Sequence, residues 1–111
     1  MIIYLFKILV LFQMIFVFNT QTVQAAEIDL NAGEEVFSSN CAVCHQGGQN
    51  VLQADKTLEK NVLEGNEMYN VGAITKQVRN GKNQMPAFPT LTDEDVANVA
   101  NYVLNQSSIG W

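Results

Sequence analysis

The 111-residue chain predicts an all-α fold, with about four helices wrapped on one covalently bound prosthetic group. Three observations carry that expectation. The string Cys41-Ala42-Val43-Cys44-His45 reads as a C-x-x-C-H haem attachment site. Downstream, apolar residues recur at helical spacing, with no alternating strand pattern and no internal repeat. The chain beyond its apolar start is also too short to build a generous core alone, and a haem is a large flat apolar body that would complete it.

The spacing of the string follows from its chemistry. Two thiols add across the two vinyl groups on one haem edge. Two intervening residues on a helical turn bring both sulfurs to that edge, and His45 then lies under the iron with an imidazole nitrogen to offer. Other uses of the same residues fit less well. A thioredoxin-like dithiol expects a βαβ context. A closed zinc site wants four ligands, and the chain holds two Cys and one His in total, all inside this string. A small structural disulfide remains the bland alternative.

Ile2 to Phe18 is apolar except for Lys7 and Gln13, and is followed by polar residues and the small-x-small string Val23-Gln24-Ala25. The pattern resembles a secretory signal cleaved after Ala25, leaving residues 26–111 as one small domain. A retained single-span anchor is the alternative, for which the run is short. Covalent haem attachment needs reduced thiols and usually happens beyond such a membrane. Loss of Lys7 with the segment takes the formal charge from −5 to −6. That acidity argues against a nucleic-acid partner and suits steering toward a basic docking patch.

The elements are expected in this order. Asn31-Ala32-Gly33-Glu34 reads as a helix start, with Asn31 as cap and Glu34 bonding back, and the helix runs into Cys41. Gln46 to Asn50 has loop composition. Thr57 to Glu64 forms a short helix with Leu58, Val62 and Leu63 on one side. Val71, Ile74 and Val78 mark another, stopped by Asn80-Gly81. Lys82 to Leu91, containing Pro86 and Pro89, is a loop. Thr92 caps a last helix whose first turn is Asp93-Glu94-Asp95, acids placed at the positive helix end, with Val96, Val99, Ala100 and Val103 as its apolar stripe.

A haem iron held by His45 needs, or leaves open, a second axial ligand. No other His exists, so a thioether is the natural candidate. Met1 and Met14 belong to the apolar start, leaving Met68 and Met85. Met85 precedes Pro86 in a loop able to carry a side chain across the haem, and is favoured; Met68, or an open face, stays as the alternative. His/Met ligation leaves no place for substrate and describes a one-electron carrier, not an enzyme.

The chain resembles class I c-type cytochromes, and more narrowly the cytochrome c6 family of algae and cyanobacteria. The resemblance lies in Ala26-Glu27-Ile28-Asp29-Leu30, Gly33 with Val36-Phe37, Asn40 with the haem string, and Asp55-Lys56-Thr57-Leu58. It continues through Ala73-Ile74-Thr75, Asn80-Gly81-Lys82-Asn83-Gln84-Met85-Pro86-Ala87-Phe88, Leu91 to Asp95, Ala100 to Leu104 and Gly110-Trp111. It implies a class I cytochrome c fold with one haem c bound through Cys41 and Cys44, and axial ligands at His45 and Met85. Lys56 matches a family position near the haem propionates, and Gln77 one beside the haem that can tune its potential. The implied role is a soluble, monomeric carrier in the thylakoid lumen of an algal plastid or a cyanobacterium. It would take electrons from the cytochrome b6f complex and deliver them to photosystem I, with no stable membrane insertion.

One stretch departs from the family. Where it commonly shows Gly-Gly-Arg-Leu, this chain has Pro89-Thr90-Leu91-Thr92, one residue shorter and without the Arg that presents positive charge near the haem edge. Lys82 or Arg79 is the expected stand-in. The rival functions are a respiratory carrier to an oxidase and, in another class, an open-site haem enzyme or gas sensor.

Overall fold

The computed structural model describes residues 1–17 and 27–111. Helix α1 spans Ile2–Val17, and its apolar side chains from Ile2 to Phe12 are exposed. Among the described residues, no helix is long and apolar enough to cross a membrane. The expected cleavage after Ala25 lies outside the described residues.

Helix α2 spans Leu30–Asn40. Its cap is Asp29, which corrects the expectation of Asn31. The Asp29 carboxylate accepts from the Asn31 and Ala32 backbone N–H groups, each at 3.0 Å, and puts negative charge at the positive helix end. The Asp29 backbone N–H donates to Asn98 Oδ1 at 3.0 Å. That partner is 69 residues away, so local reading had no signal for it. A one-turn helix, α3 (Ala42–His45), follows, then a 3₁₀ turn over Gln46–Gly48 where loop was expected.

Helix α4 covers Lys60–Gly65, not Thr57–Glu64. The reason is tertiary. The Leu58 N–H donates to the Gly48 carbonyl at 2.7 Å, and the Leu58 carbonyl accepts from Trp111 Nε1 at 2.8 Å. With both backbone groups taken by distant partners, Leu58 cannot join a helix, and Glu59 stays extended as the cap of α4.

Helix α5 (Val71–Asn80) is capped by Asn70, whose side chain accepts from the Ala73 N–H at 2.7 Å. It ends at Gly81, where φ is +67° and a Cβ would lie 2.6 Å from the Met85 carbonyl oxygen. Glycine is needed there for both reasons. Helix α6 (Asp93–Ile109) opens on the Thr92/Asp95 capping box, with both reciprocal bonds at 3.0 Å. Among the described residues there are no strands, and Lys82 and Met85 form one isolated antiparallel bridge.

Helices α2 and α6 cross in close contact at Gly33. A Cβ on Gly33 would strike the Asn98 carbonyl and Tyr102 Cβ. Gly33→Ala should therefore destabilise the protein by about 1–3 kcal/mol through overpacking, read as a lower denaturant midpoint. The core comprises Phe37, Leu63, Ile74, Val78, Val96, Val99, Ala100 and Val103, contributed by α2, α4, α5 and α6. Among the described residues 27–111 the four-helix, all-α expectation holds, with α3 as an added turn.

Candidate functional site

The core is open on one side. A cleft of about 460 Å³ is bounded by the haem string, the Leu52–Leu58 segment, α5 and the Lys82–Phe88 loop. All six residues singled out in the sequence reach it: Cys41, Cys44, His45, Lys56, Gln77 and Met85. Met68 lines it as well. A second, more open hollow bounded by Lys60, Glu64, Glu67 and Tyr69 holds none of the six.

The haem string is set by the end of α2. The Cys41 N–H donates to the Phe37 carbonyl at 2.8 Å, and the Cys44 and His45 N–H groups donate to the Cys41 carbonyl at 3.1 and 2.9 Å. This tight turn brings both cysteines to one cleft. Neither is in a disulfide, and burial pushes the Cys41 thiol up to about 11, so it stays protonated near neutrality. Thioether formation consumes one S–H per vinyl group, so two free thiols are the form the addition requires. Among the described residues, no group of three or more Cys, His, Asp or Glu is placed to hold a bare metal ion.

His45 Nδ1 lies 3.0 Å from the Gln49 carbonyl oxygen. With Nδ1 carrying the proton toward that acceptor, Nε2 keeps its lone pair for a metal. Met85 is held by a reciprocal backbone pair with Lys82, both bonds at 3.0 Å, across a turn in which Asn83 has φ +54°. Gln77 Nε2 donates to Met85 Sδ at 3.5 Å. Lys56 Nζ donates to Asn66 Oδ1 at 2.7 Å, which keeps the ammonium at the cleft.

Charge is sorted around this cavity. None of the eleven acidic residues lines it, whereas Lys56 and Lys82 do. Its deeper wall is apolar, including Phe37, Leu63, Val78 and Val99. An apolar wall with cations at its margin and two thiols, an imidazole and a thioether inside fits a haem with its propionates. Arg79, one expected stand-in for the missing family Arg, is instead tied to the Asp93 carboxylate and the Leu91 carbonyl. Lys82 is exposed.

Sequence reading missed the roles of Gln49, Asn66 and Trp111. The first acts through a backbone carbonyl, which leaves no side-chain signature. The other two act over distances that no local pattern records.

Comparison with known proteins agrees with this geometry. A family model described as "Cytochrome C oxidase, cbb3-type, subunit III" matches residues 28–103. The chain is 53% identical over 105 residues to a cytochrome c6 of Cyanidioschyzon merolae, covering 95% of this chain and 99% of the relative. It is 61% identical over 84 residues to a cytochrome c6 of Pyropia tenera, covering 75% and 99%. Among solved structures, cytochrome c6 from the diatom Phaeodactylum tricornutum superposes with a TM-score of 0.72 at 50% identity, over 75% of this chain and 99% of that one.

Proposed function

Since the chain belongs to the cytochrome c6 family, a family of c-type cytochrome electron carriers, we propose that it carries single electrons from the cytochrome b6f complex to photosystem I in the thylakoid lumen. The observation that carries this reading is the convergence of Cys41, Cys44, His45 and Met85 on one apolar cleft that no acidic residue lines. Family membership implies a covalently bound c-type haem, which supplies a one-electron iron couple.

The chain's own residues would act as follows. Cys41 and Cys44 hold the group by thioethers. His45 offers Nε2 to the iron while Gln49 orients the ring. Met85 would offer Sδ, a soft ligand that favours the reduced state. The deep wall formed by Phe37, Val78 and Val99 excludes water, which likewise disfavours the more charged oxidised state. With His45 and Met85 both supplying ligands, an iron there would keep no position for a substrate, in keeping with a carrier rather than an enzyme. Lys56, exposed where it lines the cleft, would pair with a propionate. Lys82, not the neutralised Arg79, offers positive charge at the cleft margin for docking.

The Gln77 amide draws electron density from the Met85 sulfur and so raises the potential. Gln77→Val removes that donor. A bond of about 0.5–1.5 kcal/mol converts to a fall of about 20–60 mV in midpoint potential by redox titration.

A second reading is a respiratory carrier to an oxidase, which shares the fold and chemistry and differs only in its partner; the matched family model is described as an oxidase subunit. Both are tested by flash-induced electron donation from the reduced protein to isolated photosystem I, alongside reduction of an oxidase. Rapid, saturable donation to photosystem I alone supports the first reading. Turnover of the oxidase with none of photosystem I would replace it by the second.

A further inference from the structure

Trp111 is 66 positions from His45 in sequence, yet it bears on the segment that orients His45. After α6, Gly110 adopts φ +101°, a conformation open to glycine and strained for other residues, and the chain turns back. Gln106 Nε2 holds the Gly110 carbonyl at 2.7 Å. The returning indole lies directly on Gly48, which is buried with φ +74°; a Cβ there would collide with the ring. The same ring packs 5.3 Å from Phe37 and edge-on to Tyr102 at 6.2 Å.

The Trp111 Nε1–H donates to the Leu58 carbonyl at 2.8 Å, and the Leu58 N–H donates to the Gly48 carbonyl at 2.7 Å. Gly48 is thus held twice, by the indole against its backbone and by Leu58 at its carbonyl. The next residue is Gln49, whose carbonyl is the partner of His45 Nδ1.

We propose that Trp111 is a positioning residue for His45: by pinning Gly48 it fixes the Gln49 carbonyl, which orients the imidazole toward the cleft. The inference rests on His45 being an axial ligand. A partner at Nδ1 sets the ring orientation and raises the basicity of the other nitrogen. A more basic imidazole favours the oxidised iron, so loosening the Gln49 contact moves the potential upward.

The test uses the holo-protein as wild type, Trp111→Ala and Trp111→Phe, followed by NMR and redox titration. Wild type should give hyperfine-shifted His45 ring protons in the oxidised state. In the reduced state, solvent exchange of His45 Nδ1–H is compared with that of the Val99 amide, a buried reporter of global opening. In Trp111→Ala, His45 Nδ1–H should exchange at least tenfold faster than the change at Val99 explains. The oxidised-to-reduced ratio at fixed ambient potential should fall about threefold, or about 30 mV at 59 mV per tenfold. Trp111→Phe keeps a ring on Gly48 and should restore most of both signals. If Trp111→Ala does not retain haem, Trp111→Leu, apolar but without a planar ring, carries the same expectations.

Equal acceleration at His45 and Val99 with an unmoved potential would reduce Trp111 to general packing and overturn the proposal while leaving ligation intact. Wild-type protein without hyperfine-shifted His45 protons would remove the ligation reading, and the proposal with it.

Discussion

Met85→Ala should lower the midpoint potential of the holo-protein by on the order of 0.2 V, a quarter of the ~0.8 V that axial ligands span. The same change should let the reduced protein bind carbon monoxide, which wild type should not. The argument starts from how firmly the residue is held. Both Met85 backbone groups are bonded to Lys82, Gly81 offers no Cβ against its carbonyl, and Gln77 donates to its sulfur. With its backbone fixed at both groups and its sulfur held by Gln77, Met85 presents that sulfur at one place in the cleft, and alanine there would have nothing to offer an iron. Met68 also lines the cleft and, among the described residues, is the only other thioether there. An unchanged potential in Met85→Ala, together with loss of potential in Met68→Ala, would move the ligand to Met68. Carbon monoxide binding by wild type would bring the open-site enzyme or sensor reading forward.

Removing the haem should unfold residues 27–111. Six of the eight buried core residues, Phe37, Leu63, Ile74, Val78, Val99 and Val103, also line the cleft; only Val96 and Ala100 do not. A haem in the cleft would therefore pack directly against the core. With the cleft empty these six stay covered from water but lose packing on one side, at ~1 kcal/mol for each methyl-sized void, on the order of 6 kcal/mol in all. That is comparable with the whole stability of an ordinary domain, about 5–15 kcal/mol. Chain produced without haem should show weak helical circular dichroism and no cooperative thermal transition. Cys44→Ala, with one thioether left, should retain haem but melt at lower temperature. A well-ordered haem-free chain would show that α2, α5 and α6 support one another without the group.

Much of this was legible because it is local. Cys41, Cys44 and His45 lie within five consecutive residues, so the helical turn alone decides their common side. Thr92 with Asp95, and Asn80 with Gly81, are start and stop signals whose chemistry lies within one turn of the residues they act on. Val71, Ile74 and Val78 read as one helix because a 3.6-residue period is itself the evidence. Errors fell where a backbone group took a distant partner. Asp29 replaced Asn31 as cap of α2 because Asn98 claims its N–H, and α4 begins late because Gly48 and Trp111 claim both backbone groups of Leu58.

By itself, then, the sequence determined the chemistry of the haem string, the all-α class and the two thioether candidates, since each depends on residue type and short-range spacing. Tertiary structure alone decided the rest. It drew Lys56, Gln77 and Met85 to the same cleft as Cys41, Cys44 and His45. It neutralised Arg79 against Asp93 while leaving Lys82 exposed, and laid Trp111 on Gly48. Those outcomes depend on which surfaces pack together, and packing is set by the sum of many weak apolar contacts along the whole chain rather than by any short stretch of it.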